Sequence, residues 1–429
     1  MSSERIHSYY NATANSTARY PKFEGELRVD VAVVGGGFTG LASALELAQQ
    51  GKRVALVEAH RIGWGQSGRN GGQVTGSLSG DGAMLRQLTR KIGREAAEEF
   101  IWYLRWRGQD IIRDRVARYG IECDLKSGHL HAAYKPGDMD AMRAAYDDTR
   151  RHGKGDMVEL VEAKDMQRFL ATPLYHGGIY NRNNLHLHPL NLCLGEARAL
   201  AGLGGLVFEQ SPVLEIVHGA TPALRLEGGR IHADQILLAG DVSHKLERRR
   251  LSGMIFPAAG GIVATAPLGE LARQLNPRDV AVYDSRFVLD YYRTTADGRL
   301  LFGGGANYSG KASRDIAAEL RPCIERTFPQ LRGVQIDYQW SCDMGIVFNR
   351  IPQLGKLAPN VWYAQGYSGH GLATSHIVGE VMAGAIGGTM DKFDVFQRFS
   401  HVRAPVGDWL GRHMLALGMW YFLTLERLR

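Results

Sequence analysis

The sequence predicts an α/β fold built on a Rossmann-like parallel sheet, and two observations predict it. The first is a strand, a glycine turn, a helix and a second strand in direct succession. Asp30-Val31-Ala32-Val33-Val34 is an apolar, β-branched run of the kind buried on both faces of a parallel sheet. It leads into Gly35-Gly36-Gly37-Phe38-Thr39-Gly40, then into a helix from Leu41 to Gln50 with Leu41, Ala44, Leu45 and Ala48 on one face. Gly51 ends that helix as a C-cap, and a strand from Arg53 to Val57 follows. The second observation is size: 429 residues with 45% apolar content supply two or three compact units and exclude wholesale disorder.

Each glycine of the turn has a physical task. Gly35 permits the tight bend. Gly37 removes a side chain where a pyrophosphate must reach backbone N–H groups. Gly40 lets the helix lie close to the strand while its N-terminus, with Phe38 and Thr39, faces the anion. Glu58, at the end of the second strand and followed by Ala59, is placed to accept hydrogen bonds from both ribose hydroxyls and disfavours a 2′-phosphate. This pattern predicts a dinucleotide site and does not separate NAD from FAD.

The next segment, Arg61-Ile62-Gly63-Trp64-Gly65-Gln66-Ser67-Gly68-Arg69-Asn70-Gly71-Gly72-Gln73, resembles the second flavin motif of the D-amino-acid oxidase-like (glycine/sarcosine oxidase) superfamily. Gly366-Tyr367-Ser368-Gly369-His370-Gly371-Leu372, ahead of a helix to Ile386, resembles its C-terminal flavin motif, and Ile236-Leu237-Leu238-Ala239-Gly240 its returning strand. Ser8-Tyr9-Tyr10, His186-Leu187-His188-Pro189-Leu190-Asn191-Leu192 and Asp290-Tyr291-Tyr292-Arg293 resemble the γ-glutamylputrescine oxidase family within it.

The resemblance implies FAD, with Gly65, Gln66, Ser67, Arg69, Asn70, Gly71, Gly72 and Gln73 as contacts. It adds Val213 near the adenine, Ala239, Gly240 and Trp340, and the run Gly366, Tyr367, Ser368, Gly369, His370, Gly371 and Leu372. The positive end of the last helix is suited to negative charge on a reduced flavin. The resemblance also implies an interleaved plan. A discontinuous FAD-binding domain takes 25–90, 155–245 and 340–395; an antiparallel-sheet-plus-helices substrate domain takes 91–154 and 246–339; a helical tail takes 396–429. Within the substrate domain the patterning predicts a helix over Gly93–Tyr119, strands over Gly261–Ala266 and Phe287–Tyr292, and a helix over Ile316–Phe328.

The net charge of +7 raises nucleic acid, an acidic membrane or an anionic small molecule as partners. Its one dense run, Arg248-Arg249-Arg250 beside Lys245, reads as a solvated helix face, and no basic stretch interleaved with aromatics points to nucleic acid. Cys123, Cys193, Cys323 and Cys342 lack CxxC spacing, so a zinc site or disulfide framework is not expected and a reducing, cytoplasmic location is. The N-terminus shows no secretory h-region, and Met414 to Leu425 is too short to span a bilayer, so no integral membrane segment is expected.

The implied activity is oxidation of the C–N bond of an amine or amino-acid-like substrate, a γ-glutamylated polyamine favoured. Hydride goes to flavin N5, the imine hydrolyses, and H2O2 is the co-product when O2 is the acceptor. A secondary or cyclic amino acid such as pipecolate or sarcosine is the alternative substrate. A quinone or carrier is the alternative acceptor, favoured by the absence of lysine from Arg299-Leu300-Leu301-Phe302-Gly303. A non-catalytic flavin-binding or tRNA-modifying protein is disfavoured by the lack of a basic aromatic surface. Tyr291, Arg293, Arg350 and His370 are the candidate catalytic residues: Tyr291 or Tyr292 as an aromatic wall, Arg293 or Arg350 as carboxylate anchor, His370 beside the flavin. His186 and His188 read as a pocket-lining loop or as plain structure. Cys342 stands where sarcosine-oxidase-like relatives attach flavin through a thioether; non-covalent FAD is favoured because the γ-glutamylputrescine oxidase family lacks that cysteine.

Overall fold

Val31 and Val33 pair in parallel on both sides, with Val54 and Leu56 on one and Gln235 and Leu237 on the other, so this strand has no exposed edge. The computed structural model, which describes residues 7–76, 78–307, 310, 313–404, 411, 413, 414 and 416–418, places it centrally in an eight-stranded sheet. The order is Gln353–Ala358, Val361–Gln365, Gly229–Leu238, Gly25–Val34, Val54–Val57, Leu206–Phe208. All are parallel except Gln353–Ala358, and the hairpin of Val213–Val217 with Ala223–Leu226 pairs antiparallel onto Gly229–Leu238.

The second sheet has nine strands. Its main path runs Ile336–Ile346, Phe256–Thr265, Leu300–Asn307, Tyr291–Thr294, Ala281–Asp284, Lys126–Ala132, Gly177–His186, Gln73–Val74. It is antiparallel except where Ala281–Asp284 meets Lys126–Ala132 in parallel. Four sequence expectations shift. Val158–Glu162 and Gly177–His186, assigned to the FAD-binding domain, belong to this second sheet. Ile336–Ile346 likewise pairs with Phe256–Thr265, so residues 340–346 leave the first domain. Helix Arg94–Tyr119, assigned to the substrate domain, contributes Ile101, Leu104 and Ile112 to the core beneath the first sheet's helices. The strand expected over Phe287–Tyr292 begins at Tyr291, with bends before it. The C-terminal helix expected over Met414–Leu425 falls mostly outside the described residues. Among the described residues, no helix is long and apolar enough to cross a membrane.

Two helices from opposite ends of the chain, Phe38–Gln49 and Gly371–Ile386, cross closely. A Cβ on Gly379 would stand 2.4 Å from the Ala42 Cβ, so the crossing needs glycine there. A buried ionic chain ties the same helices. Glu46 accepts from Arg115 Nη2 at 2.8 Å, and Glu196 Oε1 accepts from Arg115 Nη1 at 2.7 Å. His376 Nε2 lies 3.1 Å from Glu196 Oε1, and its Nδ1 donates to the Leu372 carbonyl at 2.6 Å.

Burial pushes the Glu196 carboxyl up, but His376 and Arg115 pull it further down, leaving it below the ordinary range. The contribution of such a group is complete above its unfolded pKa, about 4.3, and is lost as pH falls through the depressed folded value. Glu196→Gln is expected to cost about 3–5 kcal/mol at neutral pH, because Arg115 and His376 lose a buried partner. In thermal melts the Tm gap between parent and variant should shrink as pH is lowered from 7 to 3.5. A gap constant across that range would show that the carboxylate's charge contributes nothing.

Candidate active site

The glycine turn packs as tightly as its sequence requires. Gly35 adopts φ +115°, and a Cβ on Gly40 would stand 1.9 Å from the Gly35 carbonyl oxygen. A Cβ on Gly37 would stand 2.8 Å from Ser67 Oγ, which accepts from the Phe38 N–H at 3.0 Å. The Gly65–Gln73 loop therefore lies directly against the first helix N-terminus. Asn70 stiffens it, donating to the carbonyls of Gln66 and Ser67 and accepting from the Gly72 N–H. Gln73 leaves the loop to join the second sheet, donating to the carbonyls of Val282 and Tyr292 and contacting His129 Nε2 at 3.1 Å.

One cavity of about 1040 Å³ opens along these segments. Gly35, Gly37, Phe38, Thr39, Glu58, Ala59 and Val213 line one part. Gly65, Gln66, Ser67, Arg69, Asn70, Gly71, Gln73, Ala239 and Gly240 continue it. Tyr367, Ser368, Gly369, His370, Gly371, Leu372, Tyr291 and Arg350 also face it. Glu58 Oε2 accepts from the Gly36 N–H at 2.7 Å and Oε1 from the His60 N–H at 2.8 Å, which leaves each oxygen a further lone pair. Burial pushes its carboxyl up while these N–H groups pull it down. Thr39 Oγ1 lies 2.6 Å from the Tyr367 hydroxyl, joining the first and last motifs across the cavity.

The remaining expected contacts do not line the cavity. Gly40 is a packing residue. Gly72, at φ +71°, lies against the Leu187 carbonyl, and Gly366 donates its N–H to Asp241. Trp340 donates Nε1–H to the Arg69 carbonyl and packs on Tyr10. Arg293 shares a strand face with Tyr291, but its guanidinium is buried and bonded to the Gly71 carbonyl, the Tyr10 hydroxyl and the Thr294 carbonyl. It braces the Gly71 loop from behind. Tyr292 points to the opposite side, stacked on Phe302 in the core, so Tyr291 is the wall residue, fitted between Gly71 and Gly303.

His186 and His188 also sit away from the cavity. His186 ends a strand and meets the Asp279 carbonyl, and His188 caps the helix Pro189–Gly202, accepting from the Asn191 N–H. Lining residues outside those expectations include Asp241, Tyr283 and Met344. Tyr283 stands between His129 and His131, ring centroids 4.6 and 4.5 Å away. Position was a usable signal only for Asp241, which directly follows Gly240.

His370 has a defined tautomer. Ser79 Oγ donates to the Ser368 carbonyl at 2.8 Å, so it accepts from His370 Nδ1, 2.6 Å away. Burial, and secondarily Arg350, push the imidazole down to about 4, so the ring is neutral near pH 7 with Nε2 as an acceptor. Cys342 also lines the cavity, and burial pushes its thiol up to about 12. Arg350 adopts φ +60°, a left-handed conformation uncommon for a long side chain.

A dinucleotide fits these walls. The helices Phe38–Gln49 and Gly371–Ile386 both start at the cavity with no cap from their own N-cap residues, so two helix N-termini face it. Among the described residues, buried Trp64 Nε1 and His244 Nδ1, both on lining residues, have no hydrogen-bond partner.

Comparison with known proteins agrees. Residues 30–385 match the family described as FAD dependent oxidoreductase. The chain is similar to gamma-glutamylputrescine oxidoreductase of Escherichia coli, 37% identical over 99% of each chain. It is 26% identical to glycine oxidase of Geobacillus kaustophilus over 86% of this chain and 95% of that one. Among solved structures it resembles L-proline dehydrogenase from P. horikoshii, with TM-score 0.71 and 17% identity over 88% of this chain and 98% of that one. It also resembles the G. kaustophilus glycine oxidase structure, with TM-score 0.67 and 21% identity over 84% and 95%. With a fingerprint, a cavity and a family match that coincide, the chain belongs to the FAD-dependent oxidoreductase family typified by D-amino-acid oxidase.

Proposed function

We propose that this enzyme oxidises the C–N bond of an amine or amino-acid-like substrate, with a γ-glutamylated polyamine as the favoured class. The observation that carries the reading is the continuity of one cavity from the glycine fingerprint to an end walled by Tyr283, Tyr291 and neutral His370, with Arg350 beside it. The full-length likeness to gamma-glutamylputrescine oxidoreductase supports the substrate class. Bound FAD supplies a two-electron acceptor for the carbon next to nitrogen. The residues supply the rest. Tyr291 is held rigidly by Gly71 and Gly303 and gives a flat wall against which an amine-bearing carbon is oriented. His370 Nε2, held as an acceptor, takes a hydrogen bond from the amine N–H and orients the nitrogen. Arg350 is the cation for the carboxylate end, now the sole candidate of the two arginines because Arg293 is engaged behind the wall.

A panel of amines tests the class. H2O2 release is expected from a γ-glutamylated diamine at a kcat/KM well above those for sarcosine, glycine and pipecolate. The reverse ranking would favour the amino-acid reading. Reduction of a quinone or dye without H2O2 would favour the dehydrogenase reading. Arg350→Met should cost roughly 2–5 kcal/mol in kcat/KM for carboxylated substrates, a loss of about thirtyfold or more that shrinks for decarboxylated analogues. A change within about threefold, roughly 0.7 kcal/mol, would remove Arg350 as the anchor.

FAD is held without a covalent bond in this reading. A thioether needs a thiolate, and burial keeps Cys342 protonated at neutral pH. Acid precipitation of the holoenzyme is expected to leave flavin in the supernatant. Flavin in the pellet, abolished by Cys342→Ala, would mean a thioether.

A further inference from the structure

Asp241 lines the cofactor cavity but is absent from the glycine fingerprint and from both flavin-type motifs. It directly follows the strand Gly229–Leu238 and Gly240, in a left-handed conformation at φ +48°. Asp tolerates that region better than most residues, yet the conformation is sparsely populated and persists where the surroundings impose it. The surroundings here are specific. Asp241 Oδ1 accepts from the Gly366 N–H at 2.8 Å, and Oδ2 accepts from the Gln66 side-chain amide. Gly345 has no room for a side chain, since a Cβ there would stand 2.4 Å from Oδ2. One carboxylate thus touches three separate wall segments: the Gln66 loop, the Gly366 motif and the strand Ile336–Ile346.

The partners are all neutral. The Gln66 and Gly366 hydrogen bonds to Asp241 come from N–H donors, one on each oxygen, a set that suits an ionised carboxylate. Among the described residues Asp241 forms no ion pair. Burial holds its carboxyl above the ordinary range, and the Gly366 and Gln66 donors pull it back toward the ionised form. A negative charge on the cavity wall acts on whatever shares the cavity. Adding electrons to a neighbouring group is then disfavoured, as for any like-charge pair.

We propose that Asp241 is a positioning residue for the cofactor: its carboxylate clasps the Gln66 loop to the Gly366 motif and leaves a negative charge on the cavity wall that lowers the reduction potential of bound FAD. Oxidised FAD is thereby favoured at rest, and handing electrons onward to the acceptor becomes more favourable.

Two variants separate clasp from charge. Asp241→Asn keeps the shape and can exchange hydrogen bonds with Gln66 if that amide turns over, but it is neutral. Asp241→Ala removes both. The readouts are the FAD dissociation constant, from quenching of flavin fluorescence on titrating the apoprotein, and the midpoint potential, from dye-equilibrated reduction without substrate. The clasp predicts FAD binding weakened more than threefold in D241A. The charge predicts a midpoint potential more positive than the parent's in D241N. D241A binding FAD within threefold of the parent, or D241N with an unmoved or more negative potential, overturns the proposal. If D241A does not fold, Gln66→Leu removes one arm of the clasp and takes the same threefold test. Neither readout uses a substrate, so the outcome is independent of which amine the enzyme oxidises.

Discussion

The close crossing of two helices drawn from opposite ends of the chain is the constraint on which the site depends. Gly379 against Ala42 sets how near Phe38–Gln49 and Gly371–Ile386 approach, and the Glu46, Arg115, Glu196 and His376 chain fixes them there. Both helices begin at the cavity. Moving either by a residue's width would separate the first and last motifs, which meet through Thr39 and Tyr367. A buried ionic chain is weak evidence of added stability in itself. Its value here is geometric, because each member touches a different helix and admits one arrangement.

The second sheet performs a different task. It brings Tyr283 and Tyr291 to the cavity and spends Arg293 and Gln73 on joining itself to the Gly65–Gln73 loop. The loop is therefore held from two sides, by the first helix through Ser67 and by the second sheet through Gln73 and Arg293. The cofactor walls and the substrate wall share residues, so changes at the sheet junction are transmitted to both.

The fingerprint was legible in the sequence because its glycines answer to local sterics: a turn, a close approach and a helix seated on a strand. The last motif was legible for the same reason together with its resemblance to a known family. Sheet membership was not. Nothing in Gly177–His186 states that its partners are Lys126–Ala132 and Val158–Glu162 rather than the parallel sheet, since pairing is decided by distant segments. Strand alternation put Tyr291 and Arg293 on one face, yet alternation cannot tell that Tyr10 and the Gly71 carbonyl cover Arg293 while Tyr291 stays open. Asp241 carries no pattern of its own, and its meaning comes only from the segments that converge on it.

The central claim is that this cavity holds FAD and a carbon bearing nitrogen side by side. Rapid mixing of the holoenzyme with a γ-glutamylated diamine in the absence of oxygen reads that step alone, through loss of the oxidised-flavin absorbance. The account predicts full bleaching at a rate that saturates with amine concentration. A holoenzyme with stoichiometric FAD that keeps its oxidised spectrum with this amine, and with simple amines and amino acids, would contradict it.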